Sequence, residues 1–182
     1  MGSEMCIRDR RYGLSIVNVG STAFLRYSRI MVRKDGANIG IPVSVITDCD
    51  VRPYDVDPVT KEKIFNEKEV ESSQAKEEKD RRYTNGSVRA FTSPRWTLEY
   101  CIALSSLSDD FHKAVHYGKK ILNAQENISL TDAKIDEANG AAEAEAQEWK
   151  ELSHAKKAYN VYNLMLNGDG KSSLKAIVAQ CL

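Results

Sequence analysis

Residues 39–55, IGIPVSVITDCDVRPYD, decide how this chain is read. An apolar run, Ile41 to Thr47, passes directly into Asp48-Cys49-Asp50. The run is near-continuous rather than alternating, which is the pattern of a strand covered on both faces, as in a parallel α/β sheet. Two carboxylates two positions apart can converge at the frayed end of such a strand. Like charges that close repel unless a cation sits between them. In parallel sheets functional groups gather at the carboxyl ends of strands, and hard oxygen donors gathered there suit Mg²⁺ or Mn²⁺. The same residues also read as an acid-rich surface turn, because Pro53 and Asp55 give DCDVRPYD the content of a loop.

Upstream, LSIVNVG is a β-rich run closed by Gly20 and reads as a buried strand. STAFLRYSRIMVRK follows, with Phe24, Tyr27 and Met31 at helical spacing and Ser21 or Thr22 as N-cap. With the strand at residues 41–48 this makes a βαβ unit, whose crossover is expected to be right-handed. Downstream the character changes. Between Thr60 and Arg82 lie seven basic and seven acidic side chains, so residues 53–85 read as a charged, solvated helical insertion. GSVRAFTS then reads as a third strand, and PRWTLEYCIALSSL as a mostly buried helix starting after Pro94. In SDDFHKAVHYGKKILNAQ, Phe111, Val115 and Leu122 share a stripe, with acids at the start and lysines near the end, as the helix dipole favours. AAEAEAQEWKELSHAKKAYNVYNLML reads as one long helix with Trp149, Leu152, Ala155, Tyr159, Tyr162 and Leu166 on one face, closed by a Gly-rich cap at NGDG. A last helix, SSLKAIVAQCL, buries Leu174, Ile177, Val178 and Cys181.

At 182 residues the chain can hold one compact domain with a core and is short for two. Its formal net charge is zero, so any nucleic-acid contact must come from a local patch or a metal site. No apolar run reaches membrane-spanning length, and no charged-then-apolar targeting segment opens the chain. The four cysteines, Cys6, Cys49, Cys101 and Cys181, lie far apart, which argues against a zinc ribbon or disulfide framework and fits a reducing cytoplasm. Residues 1–10, MGSEMCIRDR, show neither apolar period nor capping logic and read as a non-native or disordered leader. The chain as a whole reads as a fragment of a longer protein.

Glu99 lies just past the third strand, near the start of a helix, with Thr97 two residues before it. A buried acid there is costly unless it is paired or metal-bound; an N-terminal Glu favoured by the helix dipole is the simpler reading of the same residue. GDGKSS imitates the end of a phosphate-binding loop, but Met165 stands where its first Gly is required. His112 and His116 are four apart on a helix and could grip zinc, yet the sequence offers no evident third ligand. Asp48 to Asp57 fails as a calcium loop, with Pro53 at the turn position that requires Gly and Val59 at the twelfth position. No nucleophile elbow or Cys/His signature is present.

Taken together, YGLSIVNVGSTAFLRYSRI, IPVSVITDCDV, RWTLEYCIAL and LKAIVAQCL resemble the Toprim half of an OLD-family ATP-dependent endonuclease, from about residue 11 to the end. The resemblance implies a Toprim-like Rossmannoid α/β fold: a small, mainly parallel sheet flanked by helices, its first strand missing, with C-terminal helices over 109–182. It implies a DNA endonuclease that uses two Mg²⁺ or Mn²⁺ ions. Asp48 and Asp50 match the family's DxD ligands. Glu99, with Thr97 at the position of a small hydroxyl residue, matches the ligand group of the second ion. Lys175 matches the lysine that stabilises charge on the scissile phosphate, and Lys171 is the runner-up if the match slips by one turn. ATP would act only through an N-terminal ATPase domain, and a homodimer is compatible with the family. The glutamate of the family's EGxxE-like opening strand has no counterpart here, so the chain alone is expected to bind metal weakly and cut poorly. A non-catalytic Toprim-like interaction or dimerisation module is the alternative; WTLEY speaks against a primase or topoisomerase fragment.

Overall fold

A computed structural model describes Gly13 and residues 40–123, 131–166 and 171–182, without the side chains of residues 123 and 171–173. The expected first strand, first helix and NGDG cap lie outside the described residues. The fold is mixed α/β. Its elements are β1 (Val43–Thr47), β2 (Tyr54–Val56), β3 (Lys63–Phe65), α1 (Glu69–Tyr83), β4 (Val88–Thr92), α2 (Leu98–Ala103), α3 (Ser108–Asn123), α4 (Asp132–Glu148), α5 (His154–Leu166) and α6 (Lys171–Cys181). β1 and β4 form a two-stranded sheet, and β2 and β3 form a second. Val43 N–H donates to Ser87 O and Ser93 N–H donates to Thr47 O, each at 2.9 Å, so β1 and β4 run parallel. β2 and β3 are antiparallel, with Tyr54 opposite Phe65.

The chain divides into two compact units. The smaller holds, of the described residues, Gly13, 40–45 and 80–91. Within it, Thr84 Oγ1 accepts from Ala90 N–H, and Asn85 and Val88 exchange backbone hydrogen bonds around Gly86. Gly86 has φ +57°, in the left-handed region that a two-residue turn requires. β4 alternates, with Val88, Ala90 and Thr92 buried and Arg89 and Phe91 exposed.

The larger unit holds residues 46–79 and 92–182. Its core joins Tyr54, Trp96, Tyr100, Phe111, Val115, Tyr159, Tyr162, Met165, Leu174 and Val178. Aromatic edges make the centre. Trp96 meets Tyr162 at 4.6 Å between ring centroids and Tyr54 at 5.7 Å, both near perpendicular. Such edge-to-face pairs each add about 0.5–1.5 kcal/mol beyond the area they bury.

Three expectations are corrected. The segment 53–85 is helical only over α1; the β2–β3 hairpin precedes it, and Tyr54 sends its ring into the core against Trp96 and Tyr159. The single helix expected from residue 141 is two helices, α4 and α5. α4 starts earlier, at Asp132, and ends at Glu148 with Trp149 as its C-cap, while Ser153 caps α5 by accepting from Lys156 N–H through Oγ (3.2 Å) and from Lys157 N–H through its carbonyl (3.0 Å). Serine's competing hydrogen bonds explain the break. β1 is not covered on both faces either: Val45 is buried but Ile46 is 75% exposed.

Gly118 lies where α3 meets α6. A Cβ there would stand 2.9 Å from Leu174 Cδ1 and 2.9 Å from Val178 Cγ2. Alanine normally gains about 1 kcal/mol over glycine inside a helix, but overpacking costs ~1–3 kcal/mol, and both facing atoms belong to buried side chains. Gly118→Ala is therefore expected to lower the unfolding free energy in urea denaturation, and a stabilised variant would contradict this packing.

Candidate functional site

The turn after β1 is fixed by the segment that follows β4. Ser93 N–H donates to Thr47 O, and Asp50 N–H donates to Trp96 O at 2.9 Å. Between them Cys49 N–H donates to Ser93 Oγ (2.9 Å), whose hydroxyl donates to Arg95 O (2.7 Å). Cys49 is buried, and its thiol reaches Ser72 O on α1. Asp48, partly buried, and Asp50, exposed, stand on either side of this buried residue. Asp50 has φ +67°, a left-handed conformation that aspartate tolerates better than most residues.

The start of α2 supplies the other wall. Thr97 is an extended N-cap whose Oγ1 accepts from Tyr100 N–H at 3.2 Å, which sets Glu99 in the first turn. Leu98 N–H, one of the helix's unpaired amides, donates to Asp48 Oδ1 at 3.0 Å. From α6, Lys175 Nζ lies 2.9 Å from Glu99 Oε1 and 5.8 Å from the centre of the Tyr162 ring. From α1, Lys79 Nζ pairs with Asp50 Oδ2 and donates to Asp48 O at 2.8 Å.

Burial pushes the Asp48 carboxyl up; the Leu98 amide and Lys175 oppose this, while Glu99 and Asp50 add to it. Burial also acts to raise Glu99, but its hydrogen bond with Lys175 leads the contributions that hold it below its ordinary 4.5. Burial acts to lower Lys175, yet Glu99 and Tyr162 leave it raised. Burial raises Tyr162, against hydrogen bonds with Thr97 and Lys175.

The structure thus brings Asp48, Asp50, Thr97, Glu99 and Lys175 into one region of the larger unit. The Lys171 side chain lies outside the described residues. Lys79 and Tyr162 complete the set and were missed: one sat in a charge run, the other in what reads as a core stripe. The three carboxylates are nevertheless not in ligand-shell contact. Among the described residues, the trio whose ligand atoms all lie within 4.8 Å is His112, His116 and Glu145. Glu145 is the third member of this trio that the sequence did not reveal, because it sits 29 positions after His116 on a different helix.

Among the described residues no helix is long and apolar enough to cross a membrane. No family model, curated protein or solved structure matches this chain.

Asp48's raised pKa means that the folded state holds its proton more tightly than the unfolded chain. The stability linked to that proton is complete below the unfolded pKa and lost as pH rises through the folded one. Glu99 runs the other way: its contribution is present above the unfolded pKa and lost as pH falls through the folded value, below 4.5. In chelator at neutral pH, Asp48→Asn should raise the melting temperature and Glu99→Gln should lower it. The Glu99→Gln deficit should fade on acidification. A destabilised Asp48→Asn protein would contradict the electrostatics of the site.

Proposed function

We propose that this chain carries the metal-dependent centre of a Toprim-type endonuclease of the OLD family, hydrolysing phosphodiester bonds in DNA. The reading is carried by one observation: Asp48, held by the Leu98 amide, is within electrostatic reach of Asp50, Glu99 and Lys175 beyond the carboxyl ends of two parallel strands.

The donor set fits hard divalent cations. Asp48, Asp50 and Glu99 offer only carboxylate oxygens, and two lysines leave the three acids under-compensated. Bound by these residues, Mg²⁺ or Mn²⁺ would supply an acidified water and neutralise the leaving oxygen. The chain's own part is positional. Leu98 N–H fixes one oxygen of Asp48 and so the direction of the other. Thr97 holds the start of α2, and with it Glu99. The Lys175 ammonium would turn from Glu99 to a phosphate oxygen and stabilise the charge that builds there. Lys79 must likewise release Asp50; its side chain is 23% exposed and ends a flexible stem.

The Lys79–Asp50 and Lys175–Glu99 pairs also favour a second reading, a non-catalytic Toprim-like module in which ammonium groups stand where cations would. Mn²⁺ binding followed by electron paramagnetic resonance, together with nicking of supercoiled plasmid, separates the two. The nuclease reading expects weak Mn²⁺ binding and slow Mn²⁺-dependent nicking, each at least about tenfold lower in Asp48→Ala, the scale on which loss of a supporting group acts in metal sites. Binding and nicking indifferent to Asp48→Ala would refute it. Absence of both would leave the non-catalytic module.

A further inference from the structure

A second cluster has different chemistry. His112 and His116 are four apart on α3, and both rings turn toward one carboxylate oxygen on α4. His112 Nε2 lies 2.8 Å and His116 Nε2 lies 3.0 Å from Glu145 Oε2. The two imidazole centroids are 5.2 Å apart. The histidine side chains are only 8% and 11% exposed, while Glu145 is 28% exposed and opens the cluster to solvent on one side. Trp149, at the end of α4, stacks on the His112 ring at 5.2 Å and 17° and fixes its plane.

We propose that His112, His116 and Glu145 form a binding site for Zn²⁺ or a similar borderline divalent metal, clipping α3 to α4. Tetrahedral zinc holds nitrogen and oxygen ligands at about 2.0–2.2 Å, which puts ligand atoms roughly 3.3 Å from each other. The two observed separations therefore need to widen by only a few tenths of an ångström. Two imidazoles and a carboxylate leave one tetrahedral position for water on the exposed side. Without metal, each Nε2–H donates to the Glu145 oxygen; to hold an ion there, each neutral imidazole takes its other tautomer, with the proton on Nδ1, so that Nε2 presents its lone pair and no net proton is released. Imidazole donors select Zn²⁺, Co²⁺ or Ni²⁺ over Mg²⁺ and Mn²⁺, which prefer all-oxygen sites. The site thus takes a different ion from the carboxylate cluster around Asp48, and the inference does not rest on the nuclease reading.

The test uses the metal-free chain with Zn²⁺ and Co²⁺ as probes. Isothermal titration should give one Zn²⁺ per chain. Co²⁺ should show visible absorption of tetrahedral intensity and quench Trp149, one of two tryptophans, because its ring lies against a ligand. Glu145→Gln and His116→Asn should weaken Zn²⁺ binding at least about tenfold and remove the rise in melting temperature that Zn²⁺ gives the wild type. Asp48→Asn should leave both intact. The Co²⁺ spectrum and quenching need no variant, so they stand even if a substitution unfolds the chain. Lack of saturable Zn²⁺ binding, an octahedral Co²⁺ spectrum without quenching, or affinity unchanged in Glu145→Gln would each overturn the site.

Discussion

The hydrogen bonds that tie the Thr47–Asp50 turn to residues 93–98 are the constraint on which the site depends. Two parallel strands end side by side, and the chain leaving β4 supplies donors and acceptors to the chain leaving β1. Ser93 is central: its amide binds Thr47 O, its hydroxyl accepts from Cys49 and donates to Arg95 O. Each bond contributes about 1 kcal/mol. Their larger effect is geometric, since they fix which way Asp48 and Asp50 face. The Leu98 amide then completes the link, because an unpaired helix-start N–H and a carboxylate satisfy each other.

The aromatic core carries the same constraint outward. Trp96 lies between the turn it binds through its carbonyl and the Tyr162 ring it packs against. Tyr162 in turn bears on Thr97 and Lys175. Leu174 and Val178 seat α6 on Gly118, and so set the height from which Lys175 reaches Glu99. Packing and charge are therefore not separable here. A substitution that shifts α6 moves an ammonium group as well as a methyl group.

Much of this was legible in the residues. The apolar run ending in DCD marked the strand, whereas the helix expected to start after Pro94 begins only at Leu98, where Thr97 caps it. The stripe through Phe111 and Val115 marked the face of α3, and both are buried in the core. What stayed hidden was long-range. Lys79 is one of seven basic residues in a run with no apolar period, and only the packing of α1 distinguishes it from the others. Tyr54 opens a segment that looks wholly solvated, yet its ring is buried. The break between α4 and α5 was local and readable, since Ser153 is a capping residue. The Ala-rich stretch before it overrode that signal because alanine suits a continuing helix. Glu145 could not be joined to His112 and His116 without knowing that α3 and α4 pack together.

The larger unit thus holds two clusters of opposite chemical preference: hard carboxylate oxygens with lysines around Asp48, and imidazole nitrogens with one carboxylate around His112. The central claim concerns the first, that Asp48, Asp50 and Glu99 act as one cation-binding face. Paramagnetic broadening by substoichiometric Mn²⁺ in an amide-resolved NMR spectrum tests it most directly. The account predicts that the amides of Asp48, Asp50, Leu98 and Glu99 broaden together, before those of residues 112, 116 and 145. Broadening of the Asp48–Asp50 turn without α2, or of neither, would contradict it.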